Sequence, residues 1–79
     1  MQKRRSQYFR DDEFLRKIGA NIRKYRLKKG MTMTDLAFAC NDIDYSQINR
    51  MELGKVNFSI SYLTLIAEIL EVSPSDLLK

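Results

Sequence analysis

Residues 59 to 70 read SISYLTLIAEIL, and the apolar side chains of Ile60, Leu63, Ile66, Ala67 and Leu70 recur at steps of three and four. Only a helix gathers such a set on one face, so this segment is expected to be a mostly buried helix with Ser59 as its N-cap. Upstream, Phe14, Ile18, Ile22 and Tyr25 keep helical spacing, with Lys and Arg filling the opposite side. Asp11, Asp12 and Glu13 stand where the positive end of a helix favours acids. A first helix is therefore predicted over about 12–28, closed by Gly30 in a left-handed conformation. Thr32 and Asp35 form a capping box that opens a second helix over about 33–40, burying Leu36, Ala37 and Cys40. Asp44 and Gln47 repeat the device, Asp44 capping and Gln47 reaching back, for a third helix that runs to about Leu53 and is stopped by Gly54. Ser73, Pro74 and Asp76 start a short fifth helix. Nothing alternates as a strand would, so the expected fold class is all-α, five short helices with tight connections.

The 79 residues leave room for one small domain, which buries only about 60% of its unfolded surface, and for no separate small-molecule effector domain. There is no histidine and one cysteine, Cys40, so an internal disulfide, the usual metal clusters and imidazole catalysis are excluded. No enzyme activity, metal or cofactor is expected. Cys40 reads as a small buried apolar group rather than a redox sensor, since no second cysteine could resolve an oxidised form. No apolar run reaches the ~20 residues of a membrane span, and MQKRRSQYFR lacks the apolar stretch of a signal peptide; a cytoplasmic location follows by default. Charge is uneven: residues 1–30 hold 11 Lys/Arg against 3 acids, and residues 31–79 hold 3 against 7. The positive field belongs to a basic arm, residues 1–10, and to the first helix of the domain, residues 11–79. It suits a polyanion or is simply solvated.

On the third helix, at about 100° per residue, Ile48 and Met51 point inward and Asp44 and Glu52 flank them. Ser46 and Arg50 point away, Asn49 lies at one edge, and Tyr45 is in the first turn. A face of groups that donate and accept hydrogen bonds suits the edges of bases in a major groove, where Arg grips guanine and Asn adenine with two bonds each. A polar solvated face accounts for it equally well.

Three stretches, KIGANIRKYRLKKGMTMTDLA, IDYSQINRMELGK and SISYLTLIAEILEVSPSDLL, together resemble the helix-turn-helix family of phage Cro and repressor proteins, over about residues 17–78. The matching residues are Ile22, Arg23, Arg26, Lys29 and Gly30; Met31, Thr32, Leu36 and Ala37; Ile48, Arg50, Glu52 and Gly54; Leu63, Ile66 and Ala67; and Val72, Ser73, Asp76, Leu77 and Leu78. The resemblance implies a five-helix, lambda-repressor-like domain whose second and third helices form the helix-turn-helix. It implies that Tyr45, Ser46 and Arg50, with Asn49 beside them, read base edges, and that Arg26 pairs with Glu52 as a structural tie. Phosphate contacts are implied at Thr32, Met33 and Thr34 and at Lys55, Asn57 and Ser59, consistent with the preference of anions for the positive end of a helix. Thr32 and Ser59 cap their helices in either case.

Two departures stand out. Met33 replaces a glutamine common in the family and cannot donate a side-chain hydrogen bond. Leu36 to Ile48 is one residue longer than the commonest spacing, and the intervening turn has no glycine, so Asn41 or Asp42 must turn left-handed. The resulting expectation is a sequence-specific double-stranded DNA-binding regulator, acting as a homodimer on an inverted-repeat operator. Leu77, Leu78 and Val72 form the candidate dimer surface, or else close the monomer core. The competing readings are an antitoxin-like or other protein-interaction module that keeps the fold without base readout, and binding of the arm to acidic membrane. Lys3, Arg4 and Arg5 form either a solvated tail or an arm along the DNA, and Tyr8 and Phe9 could pack on the body or a second subunit.

Overall fold

A computed structural model describes residues 9–79, and Lys3, Arg4, Arg5 and Tyr8 of the basic arm lie outside the described residues. The chain forms α1 (Asp12–Lys28), α2 (Met33–Ala39), α3 (Tyr45–Glu52), α4 (Ile60–Leu70) and α5 (Pro74–Leu77), with no strand among the described residues. Every start follows from a side chain that satisfies an orphan N–H of the first turn. Asp11 accepts from the Phe14 N–H, Thr32 from Asp35, Ser59 from Tyr62 and Ser73 from Ser75. Full capping boxes form at Thr32/Asp35 and Ser73/Asp76, and the bonds their carboxylates accept hold both below the usual carboxylate range. At α3 the expected box does not form. Asp44 instead accepts from the nearer Ser46 N–H (3.2 Å), and Gln47 is exposed.

Three helices end in the same way. At α1 the Met31 N–H bonds back to the Arg26 carbonyl and that of Gly30 to Leu27; at α3, Lys55 bonds to Arg50 and Gly54 to Met51; at α4, Val72 bonds to Ala67 and Glu71 to Glu68. This paired closure needs a left-handed residue, supplied by Gly30 (φ 74°), Gly54 (φ 71°) and Glu71 (φ 60°). Glu71 is the unforeseen one, and its carboxylate is held by the Lys29 ammonium, which also lowers its pKa.

The core is built from Ile18 and Ile22 of α1, Leu36, Ala37 and Cys40 around α2, Ile48 and Met51 of α3, Leu63, Ile66, Ala67 and Leu70 of α4, and Leu77 of α5. Burial pushes the Cys40 thiol pKa up. The α1 stripe sits one residue round from the expected one. Leu15, Ile18, Gly19, Ile22 and Arg26 are buried, while Phe14 is exposed and Tyr25 half-buried beneath the Lys24 ammonium. On α4, Ile60 is 75% exposed, so that the expected stripe is buried only from Leu63 onward. Leu77 is fully buried and closes the monomer core, leaving Leu78 at the surface and Val72 half-buried. A long-range bond from Asn21 Nδ2 to the Leu77 carbonyl (2.9 Å) fixes α5 to α1. No helix among the described residues is long and apolar enough to cross a membrane.

Candidate nucleic-acid interface

The turn between α2 and α3 absorbs its extra residue by placing both Asn41 (φ 62°) and Asp42 (φ 56°) in the left-handed region, where Asn and Asp carry less penalty than other side chains. The Asp42 and Ile43 N–H groups return to the Phe38 and Ala37 carbonyls at 3.0 and 3.1 Å, so the turn is closed by α2's own last carbonyls. Asp44 then starts α3, with Ile48 and Met51 anchored in the core below it.

The other end of α3 is fixed to α1. Arg26 Nε donates to Glu52 Oε2 at 2.6 Å and Nη2 to Oε1 at 3.0 Å, a two-bond pair whose side chains are only 6% and 2% exposed. Arg26 Nη1 also donates to the Met31 carbonyl (2.9 Å), so one guanidinium ties together α1, the α1–α2 loop and α3. The Glu52 carboxylate raises the Arg26 pKa. Gly19 makes this approach possible, since a Cβ there would lie 2.4 Å from the Met51 carbonyl oxygen and 2.5 Å from that of Glu52. Sequence patterning missed Gly19, because a glycine inside a helical run gives no sign of what packs on it.

Above these anchors, Tyr45 (58% exposed) and Arg50 are open to solvent, and Arg50 has no ion-pair partner among the described residues. Ser46 and Asn49 are half-buried at the edges of the face, so α3 presents a tyrosine and an arginine outward with the two smaller polar groups beside them. Thr32 and Thr34 are exposed at the start of α2, while Met33 is half-buried and packs against the core. With the Asp35 N–H taken by the Thr32 hydroxyl, the first-turn N–H groups of Met33 and Thr34 have no protein partner among the described residues. Lys55, Asn57 and Ser59 are exposed along the α3–α4 loop. The backbone bond from Lys55 to Arg50 (2.9 Å) places Lys55 directly over the last turn of α3. Among the described residues no group of three or more His, Cys, Asp or Glu side chains could hold a metal ion.

Two short helices joined by a closed turn, the second seated on the first and presenting its polar side outward, define a helix-turn-helix protein. The family described as Helix-turn-helix matches residues 22–77, and the chain belongs to that family, in its Cro/C1-type branch of DNA-binding transcription regulators. Three solved structures are similar to it. The restriction-modification controller protein C.AhdI from Aeromonas hydrophila is 32% identical, with TM-score 0.74 over 80% of this chain and 94% of that one. The hypothetical transcription factor NHTF from Neisseria is 28% identical, with TM-score 0.75 over 94% and 85%. The clp gene regulator ClgR from Corynebacterium glutamicum is 31% identical, with TM-score 0.75 over 81% and 68%. No curated protein sequence matches the chain to significance.

Proposed function

We propose that residues 11–79 form a sequence-specific double-stranded DNA-binding unit that regulates transcription by laying α3 in the major groove. The observation that carries this reading is Arg50, outward, exposed and unpaired on a helix whose inner side is held by a buried ion pair. An arginine so presented is free to make two bonds to a guanine edge, and Tyr45 stands at the leading end of the same helix. Thr32, Met33 and Thr34 through the start of α2, and Lys55, Asn57 and Ser59 through the loop, flank α3 as phosphate contacts that set its register. The similarity to a controller protein, a transcription factor and a gene regulator supports the same class of role.

The test separates reading from gripping. Arg50→Ala should weaken binding to a site selected from a random pool by about 1–3 kcal/mol and relax preference at one position. Lys55→Ala should weaken selected and random duplexes alike. Mobility shifts on both duplexes check this. Equal losses for Arg50→Ala on both would remove its reading role, and a wild-type chain that binds neither duplex would be a protein-interaction module instead.

One such unit contacts too few base pairs to discriminate in a genome, so the active form is a homodimer on an inverted repeat, with half-sites about 34 Å apart. Leu77 is unavailable for the interface because the monomer core consumes it. An apolar groove of about 370 Å³ lies beside it, lined by Phe14, Phe58, Ile60, Leu63 and Leu78. Phe14, Ile60 and Leu78 are exposed there, and a second copy of the chain would cover them. Ile60→Lys is expected to give a folded monomer by sedimentation with much reduced operator affinity. A dimer unaffected by it would move the interface elsewhere.

A further inference from the structure

Gly54 is buried although its neighbours Leu53 and Lys55 are exposed, and Arg16 of α1 covers it. The place a Cβ on residue 54 would occupy is 2.6 Å from both Cα and Cγ of Arg16, so the arginine stem lies flat against the backbone that leaves α3. The stem therefore starts beside the head of the α3–α4 loop, whose next residue is Lys55, and its exposed end is free to reach solvent. Both side chains are exposed, and neither has an ion-pair partner among the described residues. Elsewhere the chain neutralises its exposed cations where an acid is near: Arg10 with Asp12, Lys29 with Glu71 and Lys79 with Asp76. Here Arg16 of α1 and Lys55 of the α3–α4 loop stand on either side of Gly54, after the helix that carries the outward Arg50, and Arg16 makes no ion pair although Asp12 and Glu13 lie one turn before it.

We infer that Arg16 is a DNA-backbone-binding residue, its guanidinium gripping a phosphate next to the one met by Lys55 and extending the phosphate track from the α3–α4 loop onto α1. The inference rests on α3 being the groove helix. An arginine suits the role because its planar fork meets two phosphate oxygens at once. Among the other basic residues of α1, Lys17 and Lys28 are turned about 100° and about 120° around the helix from Arg16, and Lys24 lies over the Tyr25 ring. Arg23, about 20° from Arg16, shares its face but stands two turns further along α1, away from Gly54.

The experiment measures the salt dependence of binding of the full chain to random and selected duplexes, for the wild type, Arg16→Met, Arg16→Lys and Lys17→Met. Methionine keeps an apolar stem over Gly54, and a thermal melt checks that the variant remains folded. Each phosphate contact contributes about 0.9 to the slope of log affinity against log salt. Arg16→Met should lose one such contribution, so that its affinity drop between 50 and 200 mM salt is about 3.5-fold smaller than that of the wild type. The change should be the same on both duplexes, Arg16→Lys should recover most of it, and Lys17→Met should leave the slope unaltered. A wild-type slope in folded Arg16→Met overturns this inference alone, and so does an equal change in Lys17→Met, which would mark diffuse charge. A wild-type chain without salt-dependent affinity for any duplex overturns the proposed function and this inference with it.

Discussion

Glu52→Gln is expected to lower the stability of the chain by about 3–5 kcal/mol, because it strands the Arg26 guanidinium in a site that is almost closed to water. A domain of this length has a total stability on the order of 4–12 kcal/mol, at about 0.05–0.15 kcal/mol per residue, so the variant should be partly unfolded near 37 °C. The energy at stake is the stranding of one charge, and not the attraction between two. Replacing both partners by apolar residues of similar volume, Arg26→Met with Glu52→Leu, should therefore recover much of the loss. Recovery will be incomplete, since the part-buried Met31 carbonyl then loses its bond from Arg26, where an acceptor fully buried and unsatisfied would cost about 1–3 kcal/mol. Urea titrations of Arg26→Met, Glu52→Leu and the double variant give the coupling energy directly. A Glu52→Gln midpoint equal to that of the wild type would mean that α3 is held by its apolar contacts alone.

What the sequence discloses and what it hides divide along physical lines. Caps are local: Thr32 with Asp35 and Ser73 with Asp76 satisfy N–H groups three residues away, so the helix starts are readable without knowing the fold. Asp44 shows the limit, because a short Asp side chain bonds to the nearest N–H it can reach, and which one depends on backbone angles that letters do not carry. The inward face of α1 was ambiguous because Phe14 and Leu15 are both apolar and adjacent; only packing against the other helices selects Leu15. Glu71 adopts a left-handed conformation although glutamate has no preference for it, and its partner Lys29 is 42 residues away. The family resemblance pointed to Arg26 and Glu52, which periodicity alone would have left as surface charges; the structure shows them bonded. The outward side of α3 was legible as a face, yet Ser46 and Asn49 prove half-buried, since α3 sits in the angle between its neighbours. The cover that Arg16 gives to Gly54 depends wholly on the register of α1 against α3 and left no mark in either segment.

That register sets the sign of the effect of Gly19→Ala. In the interior of an ordinary helix, alanine is favoured over glycine by about 1 kcal/mol, so on propensity alone the variant should be more stable. Against this, the new methyl group would lie 2.4 to 2.7 Å from the Met51 carbonyl oxygen and the Glu52 carbonyl group. These are backbone atoms at the closed end of α3, and they cannot rotate away as a side chain could. Ordinary carbon–oxygen contact requires α1 and α3 to separate by close to 1 Å, lengthening the Arg26–Glu52 bonds in the same movement. Overpacking of this kind costs about 1–3 kcal/mol and sometimes more. With a strained buried ion pair added, the net outcome expected in a urea titration is a loss of at least about 1 kcal/mol. The displacement also tilts α3 on its support, so affinity for a selected duplex should fall further than affinity for a random one, whose binding needs phosphate contacts but no base register. A Gly19→Ala chain more stable than the wild type would show that the two helices do not meet backbone to backbone at Met51 and Glu52, and the part given to Gly19 in seating the Arg26–Glu52 pair would fall with it.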